Sequence, residues 1–156
     1  KTIGIIGAGR IGQTVAKMAF GLGMNVIIYD IISRDLSIEL DIAGKKISVP
    51  LKVSSLDHLL SKSDFITVHV PGGKIITKNE IAKMKDGVIL VNTARGGVID
   101  EQDLLDALNS GKIAGAGLDV FENEPKPNHE LISHPKLSVT PHIGEATKEA
   151  QERIGV

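Results

Sequence analysis

Arg95, Glu124 and His142 are the residues of this chain best suited to chemistry, and each lies just beyond a predicted apolar strand. Asn92-Thr93-Ala94-Arg95-Gly96-Gly97 follows one strand, Asp119-Val120-Phe121-Glu122-Asn123-Glu124-Pro125 a second, and Pro141-His142-Ile143-Gly144 a third. A guanidinium presents two parallel donors that match a carboxylate, so Arg95 can hold a substrate carboxylate and polarise the adjacent C–O bond. An imidazole can take a hydroxyl proton and return it, which suits His142 to general acid–base work. A carboxylate beside it, such as Glu124, would favour the imidazolium and orient the ring. The three together suit the oxidation of a hydroxy acid. Singly, each has a plainer role open to it: Arg95 as the partner of Asp100 or a helix cap, Glu122 and Glu124 as solvated loop residues, His142 as a turn residue after proline. His69 falls late in a strand and reads as packed or hydrogen-bonded, while His58, His129 and His134 read as surface residues. No His, Asp or Glu spacing suggests a metal site.

Such an oxidation needs an electron acceptor, and the first 30 residues offer a place for one. An apolar strand, Ile3–Ile6, runs into a Gly-x-Gly-x-x-Gly turn at Gly7, Gly9 and Gly12. A helical pattern follows (Ile11, Val15, Met18, Ala19, Leu22), then a second apolar strand, Asn25–Tyr29, ending in Asp30, 18 residues beyond Gly12. This is the dinucleotide-binding arrangement. Gly7 lets the chain leave the strand in a tight turn, Gly9 leaves room for a pyrophosphate, and Gly12 lets the helix pack closely on the sheet. The helix N-terminus offers N–H donors and a positive dipole end. Asp30 can accept hydrogen bonds from both ribose hydroxyls, whereas a 2′-phosphate there would face a carboxylate, so NAD is favoured over NADP. Arg34 offers a 2′-phosphate a competing partner. The plainer reading is a structural glycine turn in some other α/β protein.

The elements that must position these groups alternate strand and helix, which predicts a Rossmann-type, doubly wound parallel sheet with helices on both faces. Residues 31–54 are the least legible, with short strands predicted at Ile47–Val49 and Leu51–Val53 either side of Pro50. Ser55–Leu60 reads as a helix capped by Ser54 or Ser55. Phe65–Val70 is a predicted strand, Lys78–Lys85 a short helix, and Val88–Val91 a strand. Asp100 caps a helix over Glu101–Ser110, with Leu104, Leu105 and Leu108 inward and Gly111 at its end. Gly115–Val120 and Leu137–Thr140 are strands, Asn123–His134 a loop, and Glu145–Ile154 a charged amphipathic helix. The α/β pattern brings the three strand-end motifs to the edge where the glycine turn opens, the edge at which such sheets bind ligands.

The chain has 156 residues, enough for one domain over residues 1–156 that buries about 70% of its unfolded surface. Its 42% hydrophobic content is only 3% aromatic, the composition of an Ile, Val, Leu and Ala core. A net charge of −1 leaves no basic footprint for nucleic acid. The absence of cysteine excludes a disulfide framework and a thiolate nucleophile. No apolar run reaches the roughly 18 residues of a membrane span and no signal peptide is visible, so the cytoplasm is the default location. Gly72-Gly73-Lys74 fails as a Walker phosphate loop, because Val68 and Ile75 occupy positions that need Gly and Ser or Thr.

The strings GAGRIG, VNTARGGVID, AGLDVFENEP and PHIGEATKEAQERIG stand in this order and resemble the nucleotide-binding domain of the D-isomer-specific 2-hydroxyacid dehydrogenases. The resemblance covers most of residues 2–154. It implies a substrate arginine at Arg95, an acid/base histidine at His142 and its paired glutamate at Glu124. It implies NAD contacts at Arg10 and Ile11 by the phosphates and at Asp30 by the adenosine ribose. Val70 and Pro71 fall on the adenine side, Thr93 and Asp119 near the nicotinamide, and Gly144 beside His142. Glu122 receives no role. Three departures stand out: the loop Pro71–Thr77 is shorter than usual, Glu145 occupies a position where a small residue is usual, and residues 36–53 are longer than usual.

The final string resembles most the branch of the family that oxidises 3-phospho-D-glycerate in serine biosynthesis, with glycerate, glyoxylate and D-lactate as alternative substrates. A nucleotide-sensing corepressor module is the alternative of a different class. Family members carry a second domain that completes the substrate pocket. The chain, starting in a strand at Lys1, reads as excised from a longer protein, and alone it is expected to bind NAD but turn over little hydroxy acid. The family implies a homodimer through residues 13–40 and the last helix.

Overall fold

The computed structural model describes residues 1–32 and 36–154, so the expectation for Arg34 lies outside the described residues. The chain forms β1 (Thr2–Ile6), α1 (Arg10–Gly21), β2 (Asn25–Tyr29), β3 (Leu36–Ile42), β4 (Lys45–Leu51), α2 (Leu56–Lys62) and β5 (Phe65–Val68). It continues through α3 (Lys78–Lys83), β6 (Val88–Asn92), α4 (Glu101–Ser110), β7 (Ile113–Leu118), α5 (His129–Ile132), β8 (Leu137–Val139) and α6 (Lys148–Ile154). Six parallel strands stand in the order β2-β1-β5-β6-β7-β8. The order reverses between β1 and β5, and the crevice at such a switch point is where doubly wound sheets bind ligands. This is the Rossmann-type architecture expected.

The apolar strands bury Ile5, Ile6, Ile66, Val68 and Leu90 completely. On one face α1 turns Gly12, Ala16 and Ala19 inward, small residues that bring its axis close to the sheet. Local chemistry sets the helix ends. Asp100 caps α4 by accepting from the N–H groups of Gln102 and Asp103, at 3.1 and 3.0 Å, and Gly111 ends it in the left-handed region. Ser55, rather than Ser54, caps α2, and Thr77 with Glu80 forms a capping box on α3.

Residues 36–51 depart from expectation. In place of two short strands divided by Pro50, they form one antiparallel hairpin, β3–β4, with Pro50 inside β4 opposite Ser37. Each strand of a two-stranded ribbon is an edge, where proline is tolerated. Ala43 and Gly44 both take positive φ (52° and 80°), as a two-residue hairpin turn of the primed type requires. Asp41 steadies this turn by accepting the Gly44 N–H at 3.0 Å. Ile38 and Leu51 are buried against α1 and β2 while Glu39, Lys46 and Ser48 face outward. The expected strand Leu51–Val53 reduces to a single parallel bridge between Val53 and Ile28. Elsewhere β5 stops at Val68 rather than Val70, α6 begins at Lys148 rather than Glu145, and the loop Asn123–His134 contains the one-turn α5. No helix among the described residues is long and apolar enough to cross a membrane.

Candidate active site

The glycine turn is fixed by contacts that admit no side chain at two of its three glycines. Gly7 has a φ of +103°, and a Cβ there would lie 2.3 Å from the His69 carbonyl oxygen; a Cβ on Gly12 would lie 1.9 Å from the Gly7 carbonyl oxygen. Gly9 is different: a Cβ there would meet nothing within 4 Å. Its glycine answers to no protein neighbour, and the open space lies over the start of α1. That helix carries no side-chain cap and no acidic residue in its first turn, and Arg10 is its first residue. Amide donors, a positive dipole end and a cation therefore meet at one open surface, which fits the pyrophosphate of NAD. Asp30, at the end of β2, accepts the N–H groups of Ala8 at 2.7 Å and Ile32 at 3.0 Å. Asp30 thus places a carboxylate acceptor beside the glycine turn, which fits a ribose diol.

Ile11, Val70, Pro71, Thr93, Arg95, Asp119, His142 and Gly144 line one cleft of about 340 Å³ beside that turn, joined by His69, Ala94 and Glu145. Arg95 stands on the loop after β6, which Asn92 holds from both sides. The buried Asn92 side chain accepts the Ala94 N–H at 3.0 Å and donates to the Arg95 carbonyl at 2.9 Å. Arg95 itself donates one Nη1 hydrogen bond, to the Ala94 carbonyl at 2.6 Å. The plainer pairing of Arg95 with Asp100 is not formed: Lys74 takes Asp100 at 2.6 Å.

Glu124 and His142, 18 residues apart in sequence, meet with Oε2 and Nδ1 2.7 Å apart. The other Glu124 oxygen accepts the Phe121 N–H at 2.9 Å. His142 has a φ of +56°, held by Asp119 beneath it. The buried Asp119 carboxylate accepts from the Thr140 hydroxyl at 2.5 Å and from the N–H groups of Ile143 and Gly144, each at 2.9 Å. With Nδ1 committed to Glu124, Nε2 is the ring nitrogen left for a substrate.

The electrostatics follow the geometry. The hydrogen bond to Glu124 raises the His142 pKa above the ordinary imidazole value; desolvation opposes this, and the charges of Glu124, Asp119 and Glu145 add to it. His142 in turn lowers the Glu124 pKa, helped by the Phe121 N–H. Burial alone would push Asp119 up, but its three hydrogen bonds outweigh burial and hold it below the usual carboxylate range. Desolvation lowers the His69 pKa, and its Nε2 lies 3.0 Å from the Thr67 hydroxyl. His69 thus has the hydrogen-bonded role expected, on the wall of the cleft.

Three positioning residues carried no recognisable sequence signal as such. Asn92 and Thr140 lay inside strand-end motifs without an assigned task. Glu101, in the first turn of α4, is buried and accepts the Glu122 N–H at 2.7 Å, tying the loop that carries Glu124 to that helix. Burial raises the Glu101 pKa. Gly96 joins the loops of Arg95 and Glu124, since a Cβ on it would lie 1.9 Å from the Phe121 carbonyl oxygen.

The family model for the D-isomer specific 2-hydroxyacid dehydrogenase NAD-binding domain matches residues 1–144. A hydroxypyruvate reductase of Thermotoga maritima is 47% identical over 163 aligned residues, spanning 100% of this chain and 50% of that protein. A D-3-phosphoglycerate dehydrogenase of Archaeoglobus fulgidus is 44% identical over 162, spanning 100% of this chain and 29% of its own length. Among solved structures, a D-lactate dehydrogenase of Aquifex aeolicus complexed with NAD and lactic acid superposes with a TM-score of 0.80 at 38% identity, covering 98% of this chain and 49% of that one. The chain thus spans about half the length of such relatives, or less. Its match across residues 1–144 places it in the D-isomer-specific 2-hydroxyacid dehydrogenase family, as the NAD-binding domain.

Proposed function

We propose that this chain is the nucleotide-binding half of a two-domain, NAD-dependent D-2-hydroxyacid dehydrogenase, with Arg95, Glu124 and His142 as its catalytic residues. The observation that carries this reading is the 2.7 Å Glu124–His142 pair on the edge of the cleft that Arg95 lines. Gly7, Gly9, Arg10, Ile11, Gly12 and Asp30 would hold the pyrophosphate and adenosine side of the cofactor. Val70 and Pro71 would contact its adenine side, and Thr93, Asp119 and Gly144 its nicotinamide side. Bound NAD supplies a hydride acceptor for C2 of the substrate. Arg95 fixes the substrate carboxylate and polarises the C–O bond, and His142 Nε2 takes the hydroxyl proton as that bond becomes a carbonyl. Glu124 orients the ring and stabilises the imidazolium that results. Sensing a nucleotide would require no such acid–base pair, which disfavours a corepressor. The test is His142→Ala in the two-domain protein: turnover is expected to fall about 10²- to 10⁴-fold with NAD affinity retained, and unchanged turnover would overturn the assignment.

For the substrate we infer 3-phospho-D-glycerate, oxidised to 3-phosphohydroxypyruvate at the entry to serine biosynthesis. Support comes from the relatives named D-3-phosphoglycerate dehydrogenase, at 44% and 45% identity. The second reading is hydroxypyruvate and D-glycerate, supported by relatives named hydroxypyruvate reductase at 47% and 46%. Initial rates of the two-domain protein with both pairs of acids separate these. Alone, the chain should bind NAD but turn over little, because an open cleft neither positions substrate nor excludes water. A cytoplasmic homodimer completes the reading. Met18 on α1 and Leu22 just beyond its end are exposed four residues apart, apolar surface that a second copy would cover. Light scattering that gives a monomer mass at high concentration would refute the dimer.

A further inference from the structure

We propose that Glu145 biases this site toward the oxidised cofactor, its carboxylate holding a negative charge on the wall of the cleft where the nicotinamide ring changes charge. The inference rests on the placement of the nicotinamide in this cleft. Three carboxylates surround the ring nitrogen and amides of the His142 turn, and two of them are engaged. Glu124 is bonded to His142 Nδ1 and the Phe121 N–H, and Asp119 accepts three hydrogen bonds from Thr140, Ile143 and Gly144. Glu145 lines the cleft together with Arg95 and Asp119, and among the described residues its carboxylate takes part in no hydrogen bond or ion pair. Its backbone is nonetheless fixed, because the neighbouring Gly144 N–H is held by Asp119 at 2.9 Å. The exposed Glu145 side chain therefore extends from a fixed backbone position on the cleft wall, with no hydrogen-bonded or ion-paired partner among the described residues.

The two forms of the cofactor share the adenosine, the pyrophosphate and both riboses, and differ by one positive charge on the nicotinamide ring. A nearby carboxylate acts on that difference alone. It lowers the free energy of the cationic ring, while its effect on the pyrophosphate is the same in both forms and cancels, so it raises affinity for NAD⁺ relative to NADH. Arg95 and a protonated His142 on the same wall act in the opposite sense, and Glu145 offsets them.

The test uses the 156-residue chain, whose described residues carry two hydrophobic clusters and a six-stranded sheet. Dissociation constants for NAD⁺, NADH and ADP-ribose are measured by calorimetry for the parent chain, Glu145→Gln and Glu145→Lys. Glu145→Gln should lower the ratio of NAD⁺ to NADH affinity by about threefold to tenfold, the size of a unit-charge interaction within one cleft at an effective dielectric between protein surface and water. Glu145→Lys should lower it further, and ADP-ribose, which lacks the ring, should bind all three alike. If the chain binds ADP-ribose and both dinucleotides but the ratio ignores the charge at position 145, the inference is overturned while the cofactor assignment stands. If the chain binds none of the three, the cofactor assignment itself falls, and the inference with it.

Discussion

Replacing Gly96 by alanine should separate the two halves of the proposed catalytic set without touching either. The added Cβ would lie 1.9 Å from the Phe121 carbonyl oxygen and 2.3 Å from its carbon. Carbon–oxygen contacts settle near 3.3–3.6 Å, so the loops of Arg95 and Glu124 must part by about 1.5 Å. Both sides of the contact are backbone, and no side-chain rotation relieves it. A misplacement of roughly 1 Å in a positioned catalytic group costs about 10²-fold, which sets the expected loss of kcat/KM in the two-domain enzyme. Overpacking of this kind also costs about 1–3 kcal/mol, or about 2–12 °C in Tm for a domain of this size. Affinity for NAD should stay within about threefold, since the glycine turn is elsewhere. Gly97 provides the control. Its φ is +77° and the nearest atom to a new Cβ is Glu122 Cγ at 3.9 Å. Gly97→Ala therefore carries a left-handed backbone penalty of about 1–2 kcal/mol with no displacement, and kcat/KM should hold within about threefold. Equal damage in both variants, or full activity in a folded Gly96→Ala protein, would refute the coupling.

Glu124→Gln should move the pH limb for hydroxy-acid oxidation downward. In the proposed mechanism oxidation needs neutral His142, whose pKa Glu124 raises, so removing the charge lets the imidazole lose its proton at lower pH; the maximal rate should also fall about 10²-fold. A limb that rises or stays in place contradicts this pairing. Asn92→Ala strands the Ala94 N–H and the Arg95 carbonyl, two groups worth about 1–2 kcal/mol each. Thermal melts should show Tm lower by about 4–16 °C, and the KM for hydroxy acid should rise more than the Kd for NAD. Glu101→Gln should stabilise the protein at pH 8. Burial raises the Glu101 pKa on folding, so the folded state favours the protonated form and loses stability as pH climbs through the folded value. Glutamine keeps an acceptor for the Glu122 N–H without the charge, so Tm should rise by about 2–4 °C at pH 8 and not at all below pH 4; a gain at both pH values would point to packing instead.

What could be read from the sequence is what backbone sterics and capping chemistry decide locally. Gly7 and Gly12 are legible because no other residue fits, and Asp100 and Gly111 bracket α4 because a cap and a left-handed terminus have few solutions. The hairpin was harder for equally local reasons. Leu36, Ile38, Leu40 and Ile42 alternate with Ser37, Glu39 and Asp41, which is a strand pattern, yet its turn is Ala43-Gly44 rather than the Asn-Gly or Asp-Gly that marks a primed turn. Pro50 then reads as a break in what is a continuous strand, since its tolerance depends on β4 having only one neighbour. The candidate side chains Arg95, Glu124 and His142 are legible by type and by strand end. Their partners are not, because a hydrogen bond from Asn92 to the Arg95 loop or from Glu101 to Glu122 depends on tertiary placement.

Those partners follow one rule across the site. Each loop that carries a candidate catalytic group is held by a buried polar side chain from the ordered framework. Asn92 at the end of β6 holds the Arg95 loop, Asp119 just beyond β7 holds the His142 turn, and Glu101 in α4 holds the Glu122 backbone two residues before Glu124. All three are at most 7% exposed. A buried polar group is costly unless its hydrogen bonds are made, so each loop has one favoured position, the one that satisfies its anchor. The cofactor side is built differently, from glycine sterics and a helix terminus that need no buried anchor beyond the turn itself. Damage to Asn92, Asp119 or Glu101 should therefore fall first on hydroxy-acid turnover, and damage to Gly7 or Gly12 first on NAD binding. Asp119 is where the two separate least, because its carboxylate both clamps the His142 turn and lines the cleft.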